Sequence, residues 1–433
     1  MGSTTVVIAI TIASILALAI ICEYLAPKIK LPASLLLLCS GCGIAHFLVM
    51  QGVDLQLRWQ SFHDIVLFIF VPVLVFESAL SISLSRLLKE LPLVLILAIP
   101  LYMLMIGLTA AGLYYGIDHP TGFPWLAALL CATLVSATDP TAVLSLMKQA
   151  GIPTRITLLV EGESLFNDGV AIVLYSVLIA MALSQESMPI GQWHENLPKE
   201  IVLFAYVFFG GALLGAGMAW LSSKLYGLMP ASSQRSALTL VLPYLGYIVA
   251  ELVLNISGVM AVLVCGLGLG RTIRRSADSN DFNPRLWGFF AFAANAAVFV
   301  LVGITITLDM FTERWLAILI GIAAALFARA VMAYACVPLV TAIFPIKSVK
   351  LSHRHVLFWG GVRGPVALAL VLALPLQLDY WFTVQSIVYG VAVFTLLVQV
   401  PTFPLLIRKA PEAATDNTLA NVQPSSLQND ASN

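Results

Sequence analysis

Apolar runs long enough to cross a bilayer recur along almost the whole chain. A membrane-crossing α-helix needs roughly 20 consecutive, mostly apolar residues, within a range of about 17–25. Thirteen blocks fit that description or come close to it: 4–25, 31–52, 62–79, 90–116, 123–147, 154–183, 198–224, 235–253, 256–270, 286–306, 314–342, 352–375 and 384–407. No polar helix faces remain to cover them in water. Only 10 % of the 433 residues are charged, against roughly 25 % in a soluble domain. The expectation is an all-α polytopic membrane protein of about thirteen transmembrane helices.

The first block begins at Val6 without a basic leader and reads as a retained span rather than a secretion signal. After Ile407 the sequence becomes small and polar (APEAATDNTLANVQPSSLQNDASN) and cannot bury enough surface to fold. The chain therefore divides into a transmembrane unit, 1–407, and a short disordered tail, 408–433. The cysteines sit in or beside apolar segments, an arrangement that argues against a disulfide framework or a zinc site. No cofactor and no nucleic-acid partner is expected.

Charge bias orients the spans. With thirteen crossings, Arg58, Lys199 and Arg314 fall on one side. The other side collects Lys28, Lys30, Arg86, Lys148, Arg155, Lys224, Arg271, Arg274, Arg275, Lys347, Arg408 and their neighbours. The positive-inside rule then places the N-terminus outside and the C-terminus in the cytoplasm. Merging the block at 235–270, where Glu251 and Asn255 make only a thin break, would mix the two sets.

Inside these apolar blocks stand Glu77, Asp139, Glu161, Glu163, Asp168, Glu251, Arg329 and Arg363. A charge at mid-bilayer costs at least about 2.5–3.5 kcal/mol, so it persists where it lines a path, pairs or titrates. The acids outnumber the bases, so internal pairing cannot neutralise them all; the surplus points to a cation or proton pathway. In LVEGESLFNDG, residues 159–169, Glu163 and Asn167 stack four apart on one helical stripe, and Ser164 and Asp168 form the next. Glu161 lies less than two turns from Arg155 and can reach the boundary.

Two further clusters interrupt apolar segments near their middle. In SATDPTAV, residues 136–143, Pro140 removes a backbone donor beside Thr138 and Asp139. Freed carbonyls next to a carboxylate are hard oxygen ligands for a small cation. In WGGVRGPVALAL, residues 359–370, three glycines and Pro365 break the helix around Arg363, which stays charged. These breaks fall in the fifth and twelfth spans, seven crossings apart and so of opposite orientation. Paired broken helices of this kind mark a transporter site at the interface of inverted repeats. Arg363 needs a carboxylate, and Glu163 is its expected partner; binding an anionic substrate is the alternative. Glu77 can reach the cation path or a cytoplasmic funnel, Asn295 offers a hydrogen bond across helices, and Arg329 pairs with an acid or extends to a surface.

The words SATDPTAV, EGESLFNDGVAIVLY and WGGVRGPVALAL, with FESAL, SGVMAVLVCGLGLG and FAANAAVFVLVG in order, carry a resemblance. The chain resembles the monovalent cation:proton antiporter superfamily, in its bacterial sodium/proton antiporter branch related to the eukaryotic sodium/hydrogen exchangers. The similarity covers residues 5–407. It implies exchange of Na+, or K+ or Li+, for H+ by an elevator-like alternation in a homodimer, serving pH homeostasis at a bacterial plasma membrane. The six helices 4–6 and 11–13 would form the core bundle, with crossed, unwound helices 5 and 12, and the remaining spans a dimerisation scaffold. Asp139 and Asp168 would be the ion-binding acids, assisted by the Thr138 carbonyl, the Ser164 hydroxyl and Glu77. Asn167 in place of a second acid would mark the electroneutral branch, and Glu163–Arg363 the structural ion pair. A cation and protons competing for one site would couple opposite flows with no enzyme chemistry. A cation channel or uniporter and an intramembrane aspartyl protease are the competing classes.

Overall fold

A computed structural model describes residues 2–51, 65–117, 123–183, 193–276 and 283–407. The expected disordered tail, 408–433, lies outside them. The helices follow in chain order: α1 Gly2–Ile29, α2 Ala33–Met50, α3 Val66–Ser81, α4 Leu84–Gly116, α5 Trp125–Gln149 and α6 Thr154–Leu183. Then come α7 Trp193–Leu228, α8 Ser232–Leu254, α9 Gly258–Ser276, α10 Asn283–Thr305 and α11 Trp315–Ile343. Finally α12 consists of two halves, Leu351–Trp359 and Pro365–Leu372, and α13 spans Trp381–Ile407. A short helix, Leu308–Glu313, joins α10 to α11. Among the described residues ten segments are long and apolar enough to cross a membrane by themselves. The others are the shorter α3, the interrupted α12, and α9, whose last turn is basic.

The weak block at 235–270 resolves into two helices. Asn255 takes a left-handed φ of 50° and ends α8, after which the chain turns into α9. This connection preserves the thirteen-segment count on which the charge argument depends.

Prolines explain most of the irregular turns. Five-residue hydrogen-bond spacing appears at Val66–Phe70, Leu97–Leu101, Val331–Cys336 and Thr395–Gln399. Pro72, Pro338 and Pro401 follow the first, third and last of these, and Pro100 lies within the second. A proline cannot donate to the carbonyl four residues back, so the ladder re-registers locally.

Packing sorts the helices into two neighbourhoods. In one, α4 lies against α5, α6 and α11, while α13 covers α5 and α11, and the second half of α12 is enclosed by α5, α6 and α13. In the other, α7 packs on α9, α9 on α3, and α2 on α10. The α2–α10 crossing is close because both helices present glycine: a Cβ on Gly303 would lie 2.2 Å from the Leu38 carbonyl oxygen, and one on Gly41 2.3 Å from that of Val300. The neighbourhoods meet where α10 and α3 touch α12 and where α9 touches α4 and α6.

Candidate ion-binding site

The helical ladder of α5 stops at Ser136 and restarts at Thr141, leaving residues 137–140 non-helical. In α12 it stops at Trp359 and restarts at Pro365. The two non-helical segments meet, and the Asp139 N–H donates to the Val362 carbonyl at 2.7 Å. Two broken helices thus satisfy part of each other's freed backbone, as membrane burial requires. Gly364 permits the approach: a Cβ there would stand 2.1 Å from the Cβ of Asp139.

Side chains from α6 pin the break in α5. The Ser164 hydroxyl donates to the Thr138 carbonyl, and the Asn167 amide donates to the Thr138 hydroxyl at 3.1 Å. Asn167 is fully buried, and its Oδ1 has no partner. The Asp139 carboxylate accepts from the Thr141 N–H at 2.8 Å and from the Thr141 hydroxyl at 3.0 Å, capping the second half of α5. Thr141 was not among the candidate residues, although an Asp two positions before a Thr at a helix start is a capping pattern.

Asp168 has a different environment. It is half-buried on α6, and among the described residues its carboxylate takes no hydrogen bond and no ion pair. Asp139 lies close enough for its charge to act on both Asp168 and Glu77, so three acids from α3, α5 and α6 share one electrostatic neighbourhood. Among the described residues no three His, Cys, Asp or Glu side chains converge as a metal centre. A cation received here would meet few carboxylates and complete its shell with neutral oxygens. Tyr102 on α4, also absent from the sequence candidates, is buried within electrostatic reach of Asp168 and Arg363. Its hydroxyl donates to the Thr133 carbonyl at 2.8 Å, one turn before the break in α5.

The expected Glu163–Arg363 pair is corrected by the structure. Glu163, 1 % exposed, is held bidentately by Arg329 of α11, with Nη1 on Oε1 and Nη2 on Oε2 at 3.2 Å. Arg329 Nε also donates to the Leu357 carbonyl at 3.0 Å. Arg363 instead turns back onto its own unwound segment, where Nη1 donates to the Gly361 carbonyl at 2.8 Å. Its backbone N–H donates to the Thr395 hydroxyl at 3.2 Å, and its Nε has no partner. The reason is local. The glycine-rich break offers Arg363 the Gly361 carbonyl two residues away, whereas Arg329 reaches across from α11 to the Glu163 carboxylate and the Leu357 carbonyl.

The remaining acids have other surroundings. Glu161 faces the charges of Lys148 and Arg86, while Arg155 pairs with Glu90 at 2.8 Å. Glu251 Oε1 accepts the Gly258 N–H at 2.8 Å and so closes the α8–α9 turn. Asn295 is half-buried on α10 and makes no side-chain hydrogen bond among the described residues.

Residues 13–409 match the family described as "Sodium/hydrogen exchanger, transmembrane". The chain is 34 % identical over 388 residues to the Na(+)/H(+) antiporter ApNhaP of Aphanothece halophytica, covering 88 % of this chain and 70 % of that protein. It is 33 % identical to the low-affinity Na(+)/H(+) antiporter NhaS1 of Synechocystis, over 86 % of this chain and 68 % of that one. Its fold matches the sodium proton antiporter MjNhaP1 of Methanocaldococcus jannaschii with a TM-score of 0.77 at 18 % identity, over 93 % of this chain and 99 % of that one. The crossed breaks in α5 and α12, the α6 carboxylates beside them and these similarities agree: the chain belongs to the sodium/hydrogen exchanger family of monovalent cation/proton antiporters.

Proposed function

We propose that this chain exchanges Na+, or K+ or Li+, for H+ one-for-one, with the cation and the proton taking turns at Asp168 and Asp139. Family membership makes it a secondary-active antiporter and not an enzyme, and sets aside the channel and intramembrane-protease readings. The observation that carries the residue assignment is Asp168, a half-buried carboxylate with no hydrogen bond or ion pair among the described residues, beside a second carboxylate. Such a group needs an exchangeable counter-ion. Loss of a proton creates the negative site that a dehydrated cation fills, and cation release lets the proton return. Crossing the low-dielectric layer favours the neutralised site, because bare carboxylates are costly there. The Thr138 carbonyl and Ser164 hydroxyl, already in contact, are neutral oxygens suited to the cation, and Glu77 adds a third charge to the approach.

Glu163 with Arg329 serves as the structural pair in this reading, and Asn167 holds the α5 break without adding charge. Electroneutrality follows if one carboxylate charge is exchanged per cycle. Helices α4–α6 and α11–α13 act as the moving core, and the other helices act as a scaffold through which two copies pair. The basic residues at one set of loops favour a cytoplasmic C-terminus and an external N-terminus, and the similarity to the Aphanothece and Synechocystis antiporters favours a bacterial plasma-membrane setting.

The test is dye-monitored proton movement in sealed vesicles after addition of each alkali cation. Wild type responds to at least one, and Asp168→Asn is silent; a fully active Asp168→Asn refutes the assignment. In proteoliposomes at fixed ion gradients, one-for-one exchange gives no voltage-dependent current, and a current that follows the membrane potential rules it out.

A further inference from the structure

A cavity of about 440 Å³ opens between the last turns of α7 and α9, away from the crossed breaks. Lys224, Arg271 and Arg275 line it, and among the described residues no acidic side chain does. Each of the three is exposed and makes no ion pair among the described residues. Their neighbour Arg274 behaves otherwise: its guanidinium donates to the Leu80 and Ile82 carbonyls and caps the end of α3. Helix-end compensation therefore employs one arginine of the group and leaves three cations facing a cleft.

The rest of the lining suits an oxyanion with an apolar tail. Thr272 Oγ1 donates to Ser223 Oγ at 2.7 Å, which leaves the Ser223 hydroxyl hydrogen free for an oxygen in the cleft. Lys224 Nζ lies 4.1 Å from the centroid of the Trp220 ring, fixing the ammonium at the mouth. Trp220 is 61 % exposed and, with Leu84 and Ala219, gives an apolar flank beside the charges. Tryptophan at this level is characteristic of the headgroup region, and basic pockets between membrane helices suit anionic headgroups.

We propose that this cleft binds the phosphate headgroup of an anionic phospholipid, with the acyl chains lying along Trp220 and α7. A free phosphate ion would satisfy the cations but not the apolar flank. The site is independent of the transport reading and lies outside the residues assigned to it.

The experiment uses the full chain in detergent, with thermal midpoints and native mass spectrometry read against added phosphatidylglycerol, phosphatidylcholine or inorganic phosphate. Phosphatidylglycerol raises the wild-type midpoint, and the other two do not. Each neutralised cation lowers lipid affinity about fivefold, so Lys224→Gln/Arg271→Gln/Arg275→Gln loses about 100-fold. Lys28→Gln/Lys30→Gln, which removes charge elsewhere, keeps the full response. Lys224→Gln alone gives the fivefold loss if the triple variant fails to fold. Undiminished phosphatidylglycerol binding by Lys224→Gln, equal loss in the Lys28/Lys30 variant, or an equal shift with inorganic phosphate overturns the proposal.

Discussion

Replacing Glu163 with Gln separates the two possible partnerships of that carboxylate. In the structure Glu163 and Arg329 are 1 % and 4 % exposed and share a bidentate contact, while Arg363 stands near enough for the two guanidinium charges to repel. Removing the carboxylate leaves two cations close together without a counter-charge. Breaking a buried pair by deleting one partner costs about 3–5 kcal/mol, and the second arginine keeps Glu163→Gln toward the upper end. Arg363→Met deletes a cation that makes no ion pair among the described residues. Its cost is the lost donor on the Gly361 carbonyl, about 1 kcal/mol, offset by relief from Arg329. Arg329→Met strands Glu163 and should resemble Glu163→Gln, whereas the double variant Glu163→Gln/Arg329→Met should recover most of the stability. Unfolding midpoints of the detergent-solubilised full chain, followed by tryptophan fluorescence, measure all four. If Arg363→Met proves more damaging than Arg329→Met, or Glu163→Gln matches wild type, the assignment of Glu163 to Arg329 is wrong.

Three other outcomes are expected. Gly364→Ala places a methyl 2.1 Å from the Asp139 Cβ, and no side-chain rotation relieves that contact; about 1–3 kcal/mol of stability and most transport should be lost, a result that wild-type vesicle fluxes would contradict. Tyr102→Phe removes the donor on Thr133 and should lower the unfolding midpoint by an amount equivalent to about 1 kcal/mol, with no change if that bond is absent. Gly303→Ala drives a methyl to 2.2 Å from the Leu38 carbonyl oxygen; the α2–α10 crossing must open, destabilising the chain by about 1–3 kcal/mol in the same midpoint assay.

The architecture was legible because its determinants are local. Span length follows from bilayer thickness, and the breaks in α5 and α12 follow from Pro140, Pro365 and the glycines at 360, 361 and 364. Helix periodicity groups Glu163 with Asn167 and Ser164 with Asp168 on α6, whereas the association of Asp139 with Asp168 comes from the family resemblance. The partner of Glu163 was not legible in that way. Arg329 and Arg363 are 166 and 200 residues away, and periodicity within α6 says nothing about which of two distant helices faces a given stripe. Both arginines reach a backbone carbonyl, Gly361 for Arg363 and Leu357 for Arg329, so only the three-dimensional placement of α11 against α6 decides the pairing. Glu251 was obscured for a related reason, since its function depends on the αL geometry of Asn255, which brings the Gly258 N–H to its carboxylate.

The bond from the Asp139 amide to the Val362 carbonyl is made entirely by main-chain atoms. Replacing the side chain at position 139 or 362 therefore leaves this junction standing, proline at 139 excepted. In the proposed reading the Asp139 carboxylate can be exchanged without deleting this main-chain bond, while its cap on Thr141 is lost with it.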